Sequence, residues 1–139
     1  MIIVDTNVIF ELMKPSPLNN VIAWIDQQDA VQLFITTITI AEISYGLNVL
    51  PEGNRRTLLE EAFNKAINDA FEHRTLTFDK SAAHFYGQLM GRRKELGRPL
   101  SILDGQIAAI AFAHGSVVAT RNVRDFAECG LELVNPFES

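Results

Sequence analysis

Asp5, Glu42, Asp104 and the Asn122/Asp125 pair place oxygen donors where a sheet and its helices would bring them together. Asp5 directly follows the apolar run Ile2-Ile3-Val4, which reads as a buried parallel strand, and such sheets bind ligands outside the carboxyl ends of their strands. Glu42 lies one turn into the helix expected after the second strand. Asp104 stands at the start of a helix carrying the apolar run 107–111, and Asn122 and Asp125 follow the strand-like Ser116-Val117-Val118-Ala119-Thr120. All map to one edge of the same expected sheet. Carboxylates crowded together repel unless they are protonated or bridged by a cation, and hard oxygen ligands suit magnesium or manganese. An ion held this way can orient a phosphodiester, offset charge on the leaving oxygen and activate water.

Each position also has a structural explanation. Asp5 could break the strand or cap the next helix. Thr39-x-x-Glu42 fits a capping box, and Ser101-x-x-Asp104 resembles the same helix start. Asp125 could pair with Arg121 or Arg124 on the surface, where a bridge contributes little. Gly105 either leaves room beside Asp104 for a backbone or phosphate, or marks a turn. Asp79 reads as a cap before the helix beginning near Ser81. Convergence of the acids on one edge separates the chemical reading from these.

The elements that must position them alternate. Strands are expected at 2–4, 33–37, 74–78, 116–120 and 131–134, and helices near 18–28 and at 39–48, 55–71, 81–96 and 102–114. Strands separated by helices imply right-handed crossovers and a mostly parallel sheet covered on both faces. The fold class is therefore α/β in three layers, with 39–71 as a two-helix projection. On the helix at 102–114, Leu103, Ile107, Ile110 and His114 form the expected core stripe.

At 139 residues and 47% hydrophobic content, one domain over 1–139 is expected. No stretch approaches a membrane span, and no leader pattern precedes the first strand, so a soluble, cytoplasmic protein is expected. A single Cys129 permits no internal disulfide, and His73, His84 and His114 lack zinc spacing. A net charge of −5 and a pI near 5.1 argue against holding nucleic acid by bulk electrostatics. Local cations would have to help. Arg92, Arg93 and Lys94 form the densest run, readable as an RNA-contacting patch or as a solvated helix end. Two phosphotransfer folds fit poorly: a haloacid-dehalogenase-like site wants an Asp where Asn7 stands, and a receiver domain wants an acidic pair at the first strand.

Taken together, Ile3-Val4-Asp5-Thr6-Asn7-Val8-Ile9, Thr39-Ile40-Ala41-Glu42-Ile43-Ser44-Tyr45-Gly46, Asp104-Gly105-Gln106-Ile107-Ala108-Ala109 and Ala119-Thr120-Arg121-Asn122 resemble the PIN-domain ribonucleases. The likeness is to the VapC and FitB-type toxins of toxin–antitoxin pairs, and it spans nearly the whole chain. It implies a PIN-like α/β/α fold and a metal-dependent endoribonuclease cleaving structured RNA, such as tRNA or another translation-linked RNA. Asp5, Asp104 and Glu42 would hold Mg2+ or Mn2+, with Thr6, Thr120 and Asn122 as polar supports. Many relatives carry Asp where Asn122 stands, so Asp125 becomes the candidate for the fourth catalytic position. The resemblance further implies a homodimer, a small DNA-binding antitoxin, and operator DNA reached only through that antitoxin. A non-catalytic PIN domain that binds RNA or a partner is the alternative.

Overall fold

The structure, a computed structural model, describes residues 1–138. Its elements run β1 (Ile2–Val4), α1 (Thr6–Met13), α2 (Asn19–Asp26), β2 (Leu33–Thr36), α3 (Thr37–Asn48), α4 (Asn54–Lys65), β3 (Thr75–Leu76), α5 (Lys80–Glu95), α6 (Ile102–His114), β4 (Val117–Ala119), α7 (Val123–Phe126) and β5 (Leu133–Val134). The strands form one sheet in the order β3-β2-β1-β4-β5, and every pairing is parallel. β1 lies at the centre, with Ile2 opposite Leu33 on one side and Val117 on the other.

Alternation along β1 divides the interior. Val4 enters a core with Val8, Trp24, Ile35, Ile43 and Phe63, and Ile3 enters a second core with Leu89, Ile107, Ile110, Val118 and Phe126. Strand residues one apart point to opposite faces, so a helical layer covers each side. The pair expected over 39–71 is α3 and α4, whose Ile43, Leu47, Leu59 and Phe63 seal the first core. Among the described residues no helix is long and apolar enough to cross a membrane.

Three features depart from the sequence expectation. Helix α1 occupies 6–13, where no helix is expected, because Val8, Ile9, Phe10, Leu12 and Met13 make a short, mostly apolar stretch in which the helical period does not show. On α6 the expected stripe fails at both ends: Leu103 is 42% exposed and His114 is exposed. The buried face is instead Gly105, Ile107, Ala108, Ala109, Ile110 and Ala111, wedged between the sheet and α5. Gly105 belongs to that packing rather than to a ligand's approach, since a Cβ there would lie 2.5 Å from Met90 Sδ on α5. Small residues let the two helices close on each other.

The third departure is Arg93. It is buried, and its guanidinium donates to the carbonyls of Arg98 (2.7 Å), Asp125 (3.1 Å) and Ala127, fastening the end of α5 to α7 and the residue that follows it. Those donors are spent on carbonyls, so Arg93 is withdrawn from the RNA-contacting patch. Arg92 and Lys94 remain exposed. Truncating Arg93 would leave several carbonyls without donors. Arg93→Ala is expected to lower the unfolding free energy by about 2–4 kcal/mol, against about 0.5 kcal/mol or less for Arg92→Ala, as read by urea denaturation.

Candidate active site

Because β1 and β4 are neighbours and parallel, the residues that follow them leave the sheet side by side at its carboxyl edge. Those residues are Asp5 and Thr120. Asp5 N donates to Ala119 O at 2.9 Å, while its side chain caps α1. Asp5 Oδ1 accepts from Thr6 N at 2.8 Å, and Oδ2 accepts from Thr120 Oγ1 at 2.8 Å and Asn7 Nδ2 at 3.3 Å. The residue is 3% exposed. Burial raises its carboxyl, the bonds from Thr120 and Thr6 oppose that, and the nearby Asp104 and Glu42 charges add to it. The result is a pKa pushed up to about 6.

Glu42 reaches the same place from α3. The capping box expected at Thr39 does not form: Thr36 caps the helix, accepting from Thr39 N at 3.1 Å. Glu42 is thereby released to accept from Thr6 Oγ1 at 3.0 Å, and Thr6 Oγ1 also lies 3.1 Å from Thr39 Oγ1. Burial raises the Glu42 carboxyl, partly offset by the Thr6 bond and reinforced by Asp104. Asp104 stands in the first turn of α6, where its N–H donates to the cap Ser101 Oγ at 3.2 Å. Burial raises its carboxyl too, against a Ser101 hydrogen bond, and the charge of Asp125 pushes it further.

Asp5, Thr6, Asn7, Glu42, Asp104 and Asn122 line one cavity of about 390 Å³, together with Phe10, Glu11, Lys14 and Arg121. Thr120 is fully buried behind Asp5 and serves it as a donor. Asn122 precedes α7 without using its side chain as a cap, and its N–H donates to Thr120 Oγ1 at 3.0 Å. Asp125 is exposed on α7, outside the lining residues but close enough to act on Asp104. Among the described residues it forms no ion pair with Arg121 or Arg124. Arg92 lines a separate cleft with Phe85, Leu89 and Phe112. A larger cavity of about 810 Å³, between the end of α1 and α4, is mainly apolar and holds no carboxylate. The candidate acids therefore lie at the smaller one.

Several residues here escape sequence reasoning. Asn7 joins the two halves of the site, donating to Asp5 and accepting from Arg121 N at 3.1 Å. Its signal is the Asp5-Thr6-Asn7 triplet at a strand end. Glu11, 5% exposed, accepts from Lys14 Nζ and Leu18 N, each at 3.0 Å. Burial would raise its carboxyl, but Lys14, the Leu18 amide and the Arg121 charge outweigh that and hold it below the usual range. The Glu11-x-x-Lys14 spacing could have shown the pair, had a helix been expected over 6–13.

Among the described residues no three Asp, Glu, His or Cys side chains close tightly enough to hold an ion unaided. Asp5, Glu42 and Asp104 instead ring the cavity with raised carboxyls. Magnesium retains several waters and takes one or two carboxylates plus substrate phosphates, so this donor set fits a hydrated divalent ion.

Metal-free stability carries the mark of Asp5. Its folded pKa of about 6 exceeds the ordinary 3.8, so the folded protein binds the proton more tightly. Stability from this group is greatest below the lower value, falls as pH rises between the two, and is flat above. The loss is at most about 3 kcal/mol. Urea denaturation in chelator at pH 4.5 and 7.5 is expected to show a smaller decline for Asp5→Asn than for the unmodified chain, since that difference removes the opposing Glu11 contribution. Equal declines would contradict the buried charge.

The sequence matches the PIN domain family over residues 2–130. It is 43% identical over 138 residues to VapC ribonuclease Y4jK of Sinorhizobium fredii, covering 99% of each chain. It is 35% identical over 137 residues to toxin FitB of Neisseria gonorrhoeae, again covering 99% of each. The fold aligns with the crystal structure of FitAcB from Neisseria gonorrhoeae at a TM-score of 0.92 and 34% identity, over 100% of both chains. The parallel sheet, the acids at its carboxyl edge and matches that run essentially end to end agree on one conclusion: the chain belongs to the PIN-domain family, in its VapC and FitB branch.

Proposed function

We propose that the protein is a divalent-metal-dependent endoribonuclease and the toxin of a type II toxin–antitoxin pair. The observation that carries this is the cavity shared by Asp5, Glu42 and Asp104, whose carboxyls burial and mutual charge push upward. A cation would offset that repulsion. Asp5, Asp104 and Glu42 are the residues to hold it, with Mg2+ first and Mn2+ second by ligand chemistry. When bound, the ion supplies a Lewis acid for the scissile phosphate and an activated water.

The chain's own residues prepare that site. Thr120, Asn7 and the Thr6 amide fix both oxygens of Asp5, and the Thr6 hydroxyl orients Glu42. Asn122 offers a neutral oxygen where a carboxylate would bind metal more strongly, and Asp125 adds negative charge beside Asp104. The substrate is a structured RNA, tRNA or another translation-linked RNA, with Arg92 and Lys94 as outer contacts. A relative named a toxin and another named a VapC ribonuclease support the biological role. The partner is a small DNA-binding antitoxin, through which alone operator DNA is reached; a solved relative is FitAB bound to an IR36 DNA fragment. The toxin acts as a homodimer in the cytoplasm.

Purified Asp5→Asn and Asp104→Asn are expected to cut RNA about a hundredfold more slowly or worse while retaining native circular dichroism, and chelator should reproduce the loss. Thr120→Val, which removes the donor to Asp5 and with it the acceptor of the Asn122 amide, should cost about ten- to a hundredfold. Full cleavage by either Asn variant would contradict the metal role. For the fourth position, Asn122→Asp is expected to raise activity and Asp125→Asn to be nearly silent. Damage from Asp125→Asn equal to that from Asp5→Asn would assign the position to Asp125.

A further inference from the structure

The acidic cavity also has a cationic wall. Lys14 and Arg121 are the two cations among its lining residues. Lys14 closes α1 and is tethered to the buried Glu11 at 3.0 Å. Arg121 follows Thr120, the residue bonded to Asp5, and its backbone is clamped from both sides: its N–H donates to Asn7 Oδ1 at 3.1 Å, and its carbonyl accepts from Asn135 Nδ2 at 3.4 Å. Its guanidinium carbon lies 3.9 Å from the centroid of the Phe137 ring. A stacked guanidinium has one face covered and its N–H edges free. Among the described residues these edges form no ion pair and no hydrogen bond, although the same cavity contains Asp5, Glu42 and Asp104.

An arginine held by stacking beside four cavity acids, acting on Glu11 through its charge yet hydrogen-bonded to none of them, is prepared for an anion from outside. Acidic walls repel RNA, so a local cation is also what the site lacks. Resting on the nuclease reading above, we propose that Arg121, assisted by Lys14, binds an RNA phosphate flanking the scissile one. Arg121 would engage two phosphate oxygens through parallel N–H bonds, and Lys14 would act as a point charge. Helix geometry sets the flanking position. Asp5 caps the start of α1 and Lys14 caps its end, nine residues later and about 13.5 Å along the axis. That span is too long for one phosphate to meet both an ion at Asp5 and the end of α1. Phe137 is a positioning residue, acting through Arg121.

The test uses the full chain with magnesium and a labelled RNA oligonucleotide spanning the cleavage site mapped by 5′-end sequencing of digested total cellular RNA. Arg121→Gln is expected to raise KM about tenfold, with kcat within about threefold. In the cleavage-deficient Asp5→Asn background it should weaken binding and reduce the slope of log affinity against log salt by about 0.7. Arg121→Lys keeps the charge and loses the fork, so it should restore the slope but not the affinity. Phe137→Leu should raise KM with the slope intact, because the charge stays while its orientation is lost. Unchanged KM and slope in Arg121→Gln, with the unmodified chain active, would overturn the assignment of Arg121 and leave the nuclease reading standing. An unmodified chain that neither binds nor cuts RNA would remove both.

Discussion

Asp5 is where the structure is most tightly constrained. A carboxylate at the end of the central strand is taken out of water and held by donors from three directions: the first amide of α1, the Thr120 hydroxyl after β4, and the Asn7 amide. These bonds stitch two neighbouring strands to the helix between the sheet and the cavity. They also fix the direction of the oxygens. Three donors would ordinarily stabilise the charged form, yet burial and the two neighbouring acids prevail. The fold therefore keeps a carboxylate in a place that costs free energy until a proton or a cation arrives.

The remaining site follows from the same geometry. A parallel sheet with β1 at its centre presents the segments after β1, β2 and β4 along one edge, which gathers Asp5, α3 with Glu42, and the Thr120–Asn122 turn. Asp104 joins from α6, whose small residues let it sit close beneath α5. Thr6 links two of the acids, capped by Asp5 through its amide while its hydroxyl holds Glu42. Net charge of the whole chain says little about such a site. A protein at −5 can take up a polyanion where a divalent ion and a few anchored cations reverse the local field.

The parallel sheet, its five strands in chain order, and the convergence of Asp5, Glu42, Asp104 and Asn122 are legible in the sequence, because apolar runs ending in polar residues report strand ends directly. What is not legible depends on partners distant along the chain. Arg93 looks like part of a surface run until Asp125 and Ala127 fold onto it from more than thirty residues away. Gly105 looks like space for a ligand until Met90 fills it. The true cap of α3 is Thr36, hidden in a Thr-rich stretch where Thr39 offers an equally good pattern. Helix α1 is masked by its own hydrophobicity, and with it the Glu11–Lys14 pair that braces one wall of the cavity.

The most direct measurement is of cation binding linked to folding, with no RNA present. Anything that binds only the folded state raises its melting temperature in proportion to the logarithm of its concentration once the site is filling. At pH 7.5, titrating the chelator-treated protein with Mg2+ or Mn2+ should raise the melting temperature of the unmodified chain and of Asp125→Asn. It should leave Asp5→Asn and Asp104→Asn nearly unmoved, with the response fading below pH 6 as Asp5 takes up its proton. Equal cation responses in all four proteins, or none in the unmodified chain, would contradict a divalent ion held by these buried carboxylates.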